Sequence, residues 1–209
     1  MRRFLLLAHK APASGAFTLN DLAGGGGRID EVARSVSTAF TLSNDLRRDT
    51  ELTILFRGPD PPGARRVHLI GARLKFLNPD ERSTAALLKN ALVRALSADR
   101  ERESSPGLLV GPAEPLEELR RFARLPGALW LTEDGTPLRS WAGGAEGFAA
   151  ILSDPFDPLP DEREVLEGSG VPPVSLGPRS LRTSQCIDVL QNEFDLRGGP
   201  RGPEAADRI

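Results

Sequence analysis

The order of apolar and amphipathic segments predicts an α/β fold built on a mostly parallel sheet. Three observations carry this. Short apolar runs recur along the 209-residue chain. Stretches with apolar residues at helical spacing stand between most of them. Glycine and proline, 21 and 18 residues respectively, gather at the junctions and break both periods. Helices interleaved with short apolar strands bury both faces of a parallel sheet.

Taken in order, Arg3–Ala8 ("RFLLLA") is continuously apolar, as expected of a strand buried on both faces. "SGAFTLNDLAGGGG" is a loop. Arg28 then opens a helix in which Ile29, Val32, Ala33, Val36 and Phe40 share a face. "ELTILF" (51–56) and "RRVHLIGARL" (65–74) are strands across the turn "RGPDPPGA", paired as a hairpin or merely neighbours. Residues 78–96 form a helix capped by Asp80 or Ser83, with Leu87, Leu88, Ala91, Leu92, Ala95 and Leu96 on its apolar side. Residues 97–106, charged and ending in proline, read as a surface linker. Beyond it come strand 107–111, helix 114–125, strand and turn 127–135, strand 148–154, helix 161–168, strand 172–176 and helix 183–194. The tail from 196 to 209 lacks an apolar pattern and is expected to be disordered.

Composition excludes several classes. Hydrophobic residues make up 39% and charged residues 27%, the balance of a globular protein. No apolar run approaches the roughly 20 residues of a membrane helix. The apolar part of "RRFLLLAHK" is too short for a signal peptide and no small-residue cleavage site follows. One cysteine and two histidines make no disulfide and no zinc site, so no metal is expected and the compartment is read as cytoplasmic. The net charge of −2 argues against strong nonspecific nucleic-acid binding. Its distribution is uneven: residues 1–100 carry 16 Lys/Arg against 10 Asp/Glu, and residues 101–209 carry 11 against 19. A basic half joined to an acidic half suits either a polyanion partner or chance clustering. We take residues 1–195 as one domain, with a basic part over 1–100 and an acidic part over 107–195.

No phosphate-binding fingerprint and no nucleophile elbow is present. "AGGGGR" (23–28) reads as a flexible turn, and His9 and His68 read as packed or surface histidines. The polar clusters "NDLRRDT" and "LNPDERS" are more informative. Asp80 alone is accounted for as a helix cap, worth roughly 0.5–2 kcal/mol. Together the clusters set Arg47, Arg48 and Arg82 beside Asp49, Asp80 and Glu81, which favours a surface for phosphate and base. Three strand ends, at Leu131, at Leu152–Ser153 and at Leu176–Pro178, should reach the carboxyl edge of the sheet. Backbone groups beside apolar walls there suit a flat heterocycle such as adenine. Cys186 follows on the last helix, either as a small wall of that slot or as a buried structural thiol.

These blocks carry a resemblance. "GRIDEVARSVSTAF", "LSNDLRRD", "LNPDERSTAALL", "LTEDG", "ILSDP" and "SLGPRSLRTSQCIDVLQNEFD" resemble, in order, the signature blocks of the tRNA pseudouridine N1-methyltransferases of the SPOUT superfamily. The resemblance implies a SPOUT-type sheet with a deep C-terminal trefoil knot, a homodimer and S-adenosylmethionine as cofactor. It implies methylation of pseudouridine 54 in the T-loop of tRNA, with residues 1–100 as the basic RNA-facing part and 107–195 as the knot and cofactor part. Carried over, the cofactor contacts are Leu131, Ser153, Leu176, Gly177, Pro178, Leu181 and Cys186. Arg48, Asp49 and Asp80 are the catalytic candidates, and Arg28, Arg34, Arg47 and Arg82 those for RNA. Two departures stand out: Ser153 replaces the glycine of some relatives, and "TSQC" replaces an Asn-His-Cys pattern. A methyltransferase of another RNA, such as ribosomal RNA, and an inactive RNA-binding homologue share the same residues.

Overall fold

The computed structural model describes residues 1–58, 60, 61, 63–144 and 147–197. Its strands are β1 (Arg2–Ala8), β2 (Thr50–Phe56), β3 (Arg65–Ile70), β4 (Arg102–Ser105), β5 (Leu108–Pro112), β6 (Ala128–Pro137), β7 (Phe148–Ser153) and β8 (Pro173–Ser175). Its helices are α1 (Ile29–Phe40), α2 (Glu81–Arg94), α3 (Pro115–Ala123), α4 (Pro160–Ser169) and α5 (Thr183–Leu196), with a 3-10 turn at Leu138–Ser140. All eight strands join one sheet in the order β4-β5-β3-β2-β1-β7-β6-β8. The five strands from β2 to β8 in that order are parallel, and β3, β5 and β4 add antiparallel pairs at the other end.

Strand β1 is the middle of the fold, and its apolar run has two uses. Phe4, Leu6 and Ala8 face a core shared with α1, α2 and α5, while Leu5 and Leu7 face a second core with Leu119, Phe122, Val165 and Leu166 of α3 and α4. Burial on both sides removes the polar alternation that a half-exposed strand would show. Because β1 pairs with both β2 and β7, the basic and acidic halves share one sheet. Arg2 reinforces this: its buried guanidinium donates to Gln191 Oε1 at 2.6 Å and meets Asp195 at 2.6 Å and Asp49 at 3.4 Å. The start of β1, the entry to β2 and the end of α5 are thereby tied together.

Three expectations need correction. Residues 97–106 are more than a linker, since Arg102–Ser105 pair with β5 as an edge strand. Charged residues on such an edge discourage pairing with another chain, and they hide the strand from an apolar pattern. Leu88, Ala91, Leu92 and Ala95 are buried as expected, but α2 ends at Arg94, and Leu96, beyond its cap, is exposed. The tail begins later than expected: Leu196 closes α5 and Arg197 caps it. The expected disorder of 198–209 lies outside the described residues.

Candidate functional site

Because β1, β6, β7 and β8 run in the same direction, their carboxyl ends open on one edge of the sheet. A cavity of about 670 Å³ lies there, between the loops after β7 and β8, a distorted part of β6, and the first turns of α1 and α5. The distortion in β6 has a local cause. Its register with β8 shifts between Leu131 and Thr136, so Thr132 and Glu133 leave the ladder and line the cavity. Gly135 permits the close return, because a Cβ there would stand 2.5 Å from the Val174 nitrogen. The β8–α5 loop turns at Gly177, whose φ of +145° disfavours any side chain.

Of the seven expected cofactor contacts, Leu131, Ser153, Leu176, Gly177, Leu181 and Cys186 line this cavity; Pro178 does not. The Ser153 hydroxyl turns back into its own loop and donates to the Phe156 carbonyl. The Ser153 carbonyl accepts a 2.6 Å bond from Thr183 Oγ1. Cys186 is half-buried, and burial, with Glu133 and Glu31 adding negative charge, pushes its thiol up to about 12. It stays protonated at neutral pH and is a soft wall rather than a nucleophile.

The first turn of α1 supplies groups that sequence reasoning missed. Buried Glu31 accepts from the Ser184 backbone at 2.9 Å, from the Ser184 hydroxyl at 2.8 Å and from Arg34. Arg28 grips Asp30 with a fork of 2.9 and 3.1 Å bonds. Burial opposes the charge on Asp30, but the Arg28 fork outweighs it and holds the carboxyl below its usual range. Counting the whole lining, five carboxylates (Asp30, Glu31, Glu133, Asp154, Asp157) face five guanidinium groups (Arg28, Arg34, Arg163, Arg179, Arg182). Leu131, Leu152, Val174, Leu176 and Leu181 supply apolar surface to the same lining. Such a lining offers apolar surface for a flat ring and charged groups for a zwitterion.

The remaining expected residues fall elsewhere. Arg28 and Arg34 line the cavity, but both are committed to carboxylates; Arg34 also bonds Glu81 at 3.0 Å. Arg47 holds Asp195 at 2.6 and 3.1 Å, and Arg82 donates to the Leu19 carbonyl at 2.7 Å. Arg48 lines a separate cleft with Leu74, Lys75 and Phe76, where its guanidinium bonds the Gly71 and Leu74 carbonyls and Asp45. Phe76 is 77% exposed beside it. Asp49 is more than half exposed, near Arg2. Asp80 caps α2 by accepting the Ser83 amide at 2.8 Å, which holds its carboxyl below the usual range. Among the described residues no group of three or more His, Cys, Asp or Glu could hold a metal ion, and no helix is long and apolar enough to cross a membrane.

A family model described as a putative SAM-dependent RNA methyltransferase matches residues 1–198. Curated relatives agree. A tRNA (pseudouridine(54)-N(1))-methyltransferase of Methanocella arvoryzae is 40% identical over 94% of this chain and 100% of its own length. The proteins of that name from Methanocorpusculum labreanum and Haloferax volcanii are 39% and 37% identical, over 95% and 96% of this chain and 98% and 100% of their own. The crystal structure of Archaeoglobus fulgidus Nep1 bound to S-adenosylhomocysteine superposes with a TM-score of 0.62, covering 94% of this chain and 98% of that one at 13% identity. That likeness extends the same α/β architecture to a distant sequence. With the carboxyl-edge cavity, the β8–α5 junction and relatives matched from end to end, the chain belongs to the SAM-dependent RNA methyltransferase family that includes the tRNA (pseudouridine(54)-N(1))-methyltransferases.

Proposed function

We propose that the protein methylates N1 of pseudouridine 54 in tRNA, using S-adenosylmethionine held in the carboxyl-edge cavity. The observation that carries this is the cavity itself. Six residues transferred from a sequence resemblance meet there, in a lining that suits a zwitterion joined to a flat ring. The apolar wall of Leu131, Leu176 and Leu181 takes the heterocycle. The carboxylates take the cationic groups, and the arginines not already paired inside the chain, such as Arg179, take the carboxylate. When bound, the cofactor supplies an electrophilic methyl group on a sulfonium. The protein's own part is to align the acceptor nitrogen with that methyl, exclude water and remove the N1 proton.

Arg48, Asp49 and Asp80 do not line the cavity of their own chain. We therefore place them across the interface of a homodimer, each serving the cavity of a second copy. Asp49 is the better proton acceptor of the two carboxylates, because Asp80 is occupied as a cap. Arg48, Lys75 and exposed Phe76 form a face suited to an unpaired nucleotide, with Phe76 available for stacking. The reading includes the trefoil knot, with the C-terminal segment threaded where α5 is held to the end of β7 and to Glu31. The reading extends to a cytoplasmic tRNA-modifying enzyme.

The test is incubation of the purified protein with labelled cofactor and, in parallel, pseudouridine-containing tRNA and ribosomal RNA, followed by nucleoside analysis. N1-methylpseudouridine at position 54 is expected. Label confined to ribosomal RNA, or binding without transfer, would overturn the assignment.

A further inference from the structure

Behind the cavity wall lies a buried histidine that no step above uses. His9 follows β1 and is buried. Its Nδ1 stands 2.8 Å from Asp154 Oδ1, and its Nε2 stands 2.8 Å from Glu162 Oε2. Its backbone N–H donates to Asp154 Oδ2 at 2.8 Å. Only an imidazolium satisfies both contacts, because a neutral ring would set a lone pair against one carboxylate.

The surroundings are fully engaged. From the end of β2, Arg57 bonds Glu162 at 2.7 Å and Asp161 at 3.0 Å. The Leu159 amide donates to Glu162 Oε2 at 2.8 Å, and the Phe156 amide donates to Asp154 Oδ1 at 3.2 Å. Lys10 Nζ sits 3.8 Å from the centre of the Phe156 ring. Arg28, on the cavity side, is close enough for Asp154 to favour its charge. Asp154 and Phe156 line the cavity, whereas His9 does not. Burial works against a charge on His9, but the bonds to Asp154 and Glu162 outweigh it and raise its pKa to about 9.

We propose that His9 is a positioning residue for the cofactor loop 153–158: by clamping Asp154 and Glu162 it sets that loop against the cavity. Asp154 then has one oxygen on the His9 backbone and the other shared by the ring and the Phe156 amide, so the loop has few alternative arrangements. This rests on the cofactor reading of the cavity. Its consequence is that cofactor binding and the proton on His9 are linked, each favouring the other.

The experiment is calorimetric titration of the full chain with S-adenosylhomocysteine, for the wild type and His9→Gln, at pH 7 and pH 10. At pH 7 the variant is expected to bind about tenfold more weakly, the scale of a lost charge-assisted contact. At pH 10 the ratio should fall to within about twofold, because the wild type has lost its own proton. Comparing the two proteins at each pH cancels titration of the ligand. Equal affinities at pH 7, or the same ratio at both pH values, would overturn the role. Absence of binding by the wild type would instead overturn the cofactor reading, and this assignment with it. Should His9→Gln fail to fold, the His9 ring signals of the wild type decide by NMR. Saturating S-adenosylhomocysteine must raise the His9 pKa above its value in the free protein, and an unchanged pKa overturns the proposal.

Discussion

Glu31 is a carboxylate with 1% exposure in the first turn of a helix, and its partners come from both ends of the chain. The Ser184 amide and hydroxyl approach from α5, and Arg34 approaches from one turn along α1. A buried charge left short of donors is costly, whereas one with three charge-assisted bonds fixes its neighbours. Glu31→Gln keeps the shape but exchanges an acceptor for an amide that cannot accept from all three. We expect it to lower stability by about 2–4 kcal/mol in urea unfolding. Glu81→Gln removes the more exposed partner of the same Arg34 and should cost less than about 1 kcal/mol. A similar loss for both would mean that the Ser184 contacts contribute little. Nothing in "GRIDEVARS" distinguishes Glu31 from a solvated position, because its partner Ser184 lies 153 residues away.

At the scale of elements, the His9 cluster joins the end of β1, the β7–α4 loop and the first turn of α4. Its stability therefore depends on pH, with opposite limits from its two kinds of group. His9 is raised from 6.5 to about 9, so its contribution is complete below about pH 6.5 and is lost as pH rises through 9. Glu162 is lowered: burial opposes its charge, but bonds from His9 and Arg57 prevail. Its contribution is present above its ordinary 4.5 and is lost as pH falls through the depressed value. The cluster is thus fully stabilising between about pH 5 and 6.5. Urea unfolding across pH should show His9→Gln less stable than the wild type by roughly 3 kcal/mol at pH 6, with the gap closing near pH 10. A gap independent of pH would mean that the ring acts by packing. Element order was largely legible in the sequence, because apolar runs and helical spacing are local signals. Strand β4 was not, since four polar residues on an edge need no apolar face. The turn in β6 was legible in "TEDG", but its return to β8 was not, because that depends on the register with a strand about 40 residues away. His9 looked like an ordinary packed histidine, because both of its carboxylates come from about 150 residues downstream.

The whole molecule separates two sets of residues that the resemblance assigns to one reaction. Leu131, Ser153, Leu176, Gly177, Leu181 and Cys186 gather at one cavity, while Arg48 lies in another cleft. On the proposed reading a second chain brings the two sets together, and this can be tested without knowing the interface. Gly177→Val disables the cavity, because a φ of +145° is strained for valine. Arg48→Ala disables the substrate side. Each variant alone should be inactive as a pure dimer. In a mixed dimer, the intact cavity of the Arg48→Ala chain meets the intact Arg48 of the Gly177→Val chain, so one site of the two is complete. Equal mixing with random exchange yields half mixed dimers, so methyl transfer to tRNA should recover to roughly a quarter of the wild-type rate. If the two sets act within one chain, every site in the mixture lacks one of them and no activity returns. Native mass spectrometry of the mixture, which separates the mixed dimer from both pure dimers by mass, verifies that exchange has occurred, so a null result counts against the shared site rather than against mixing.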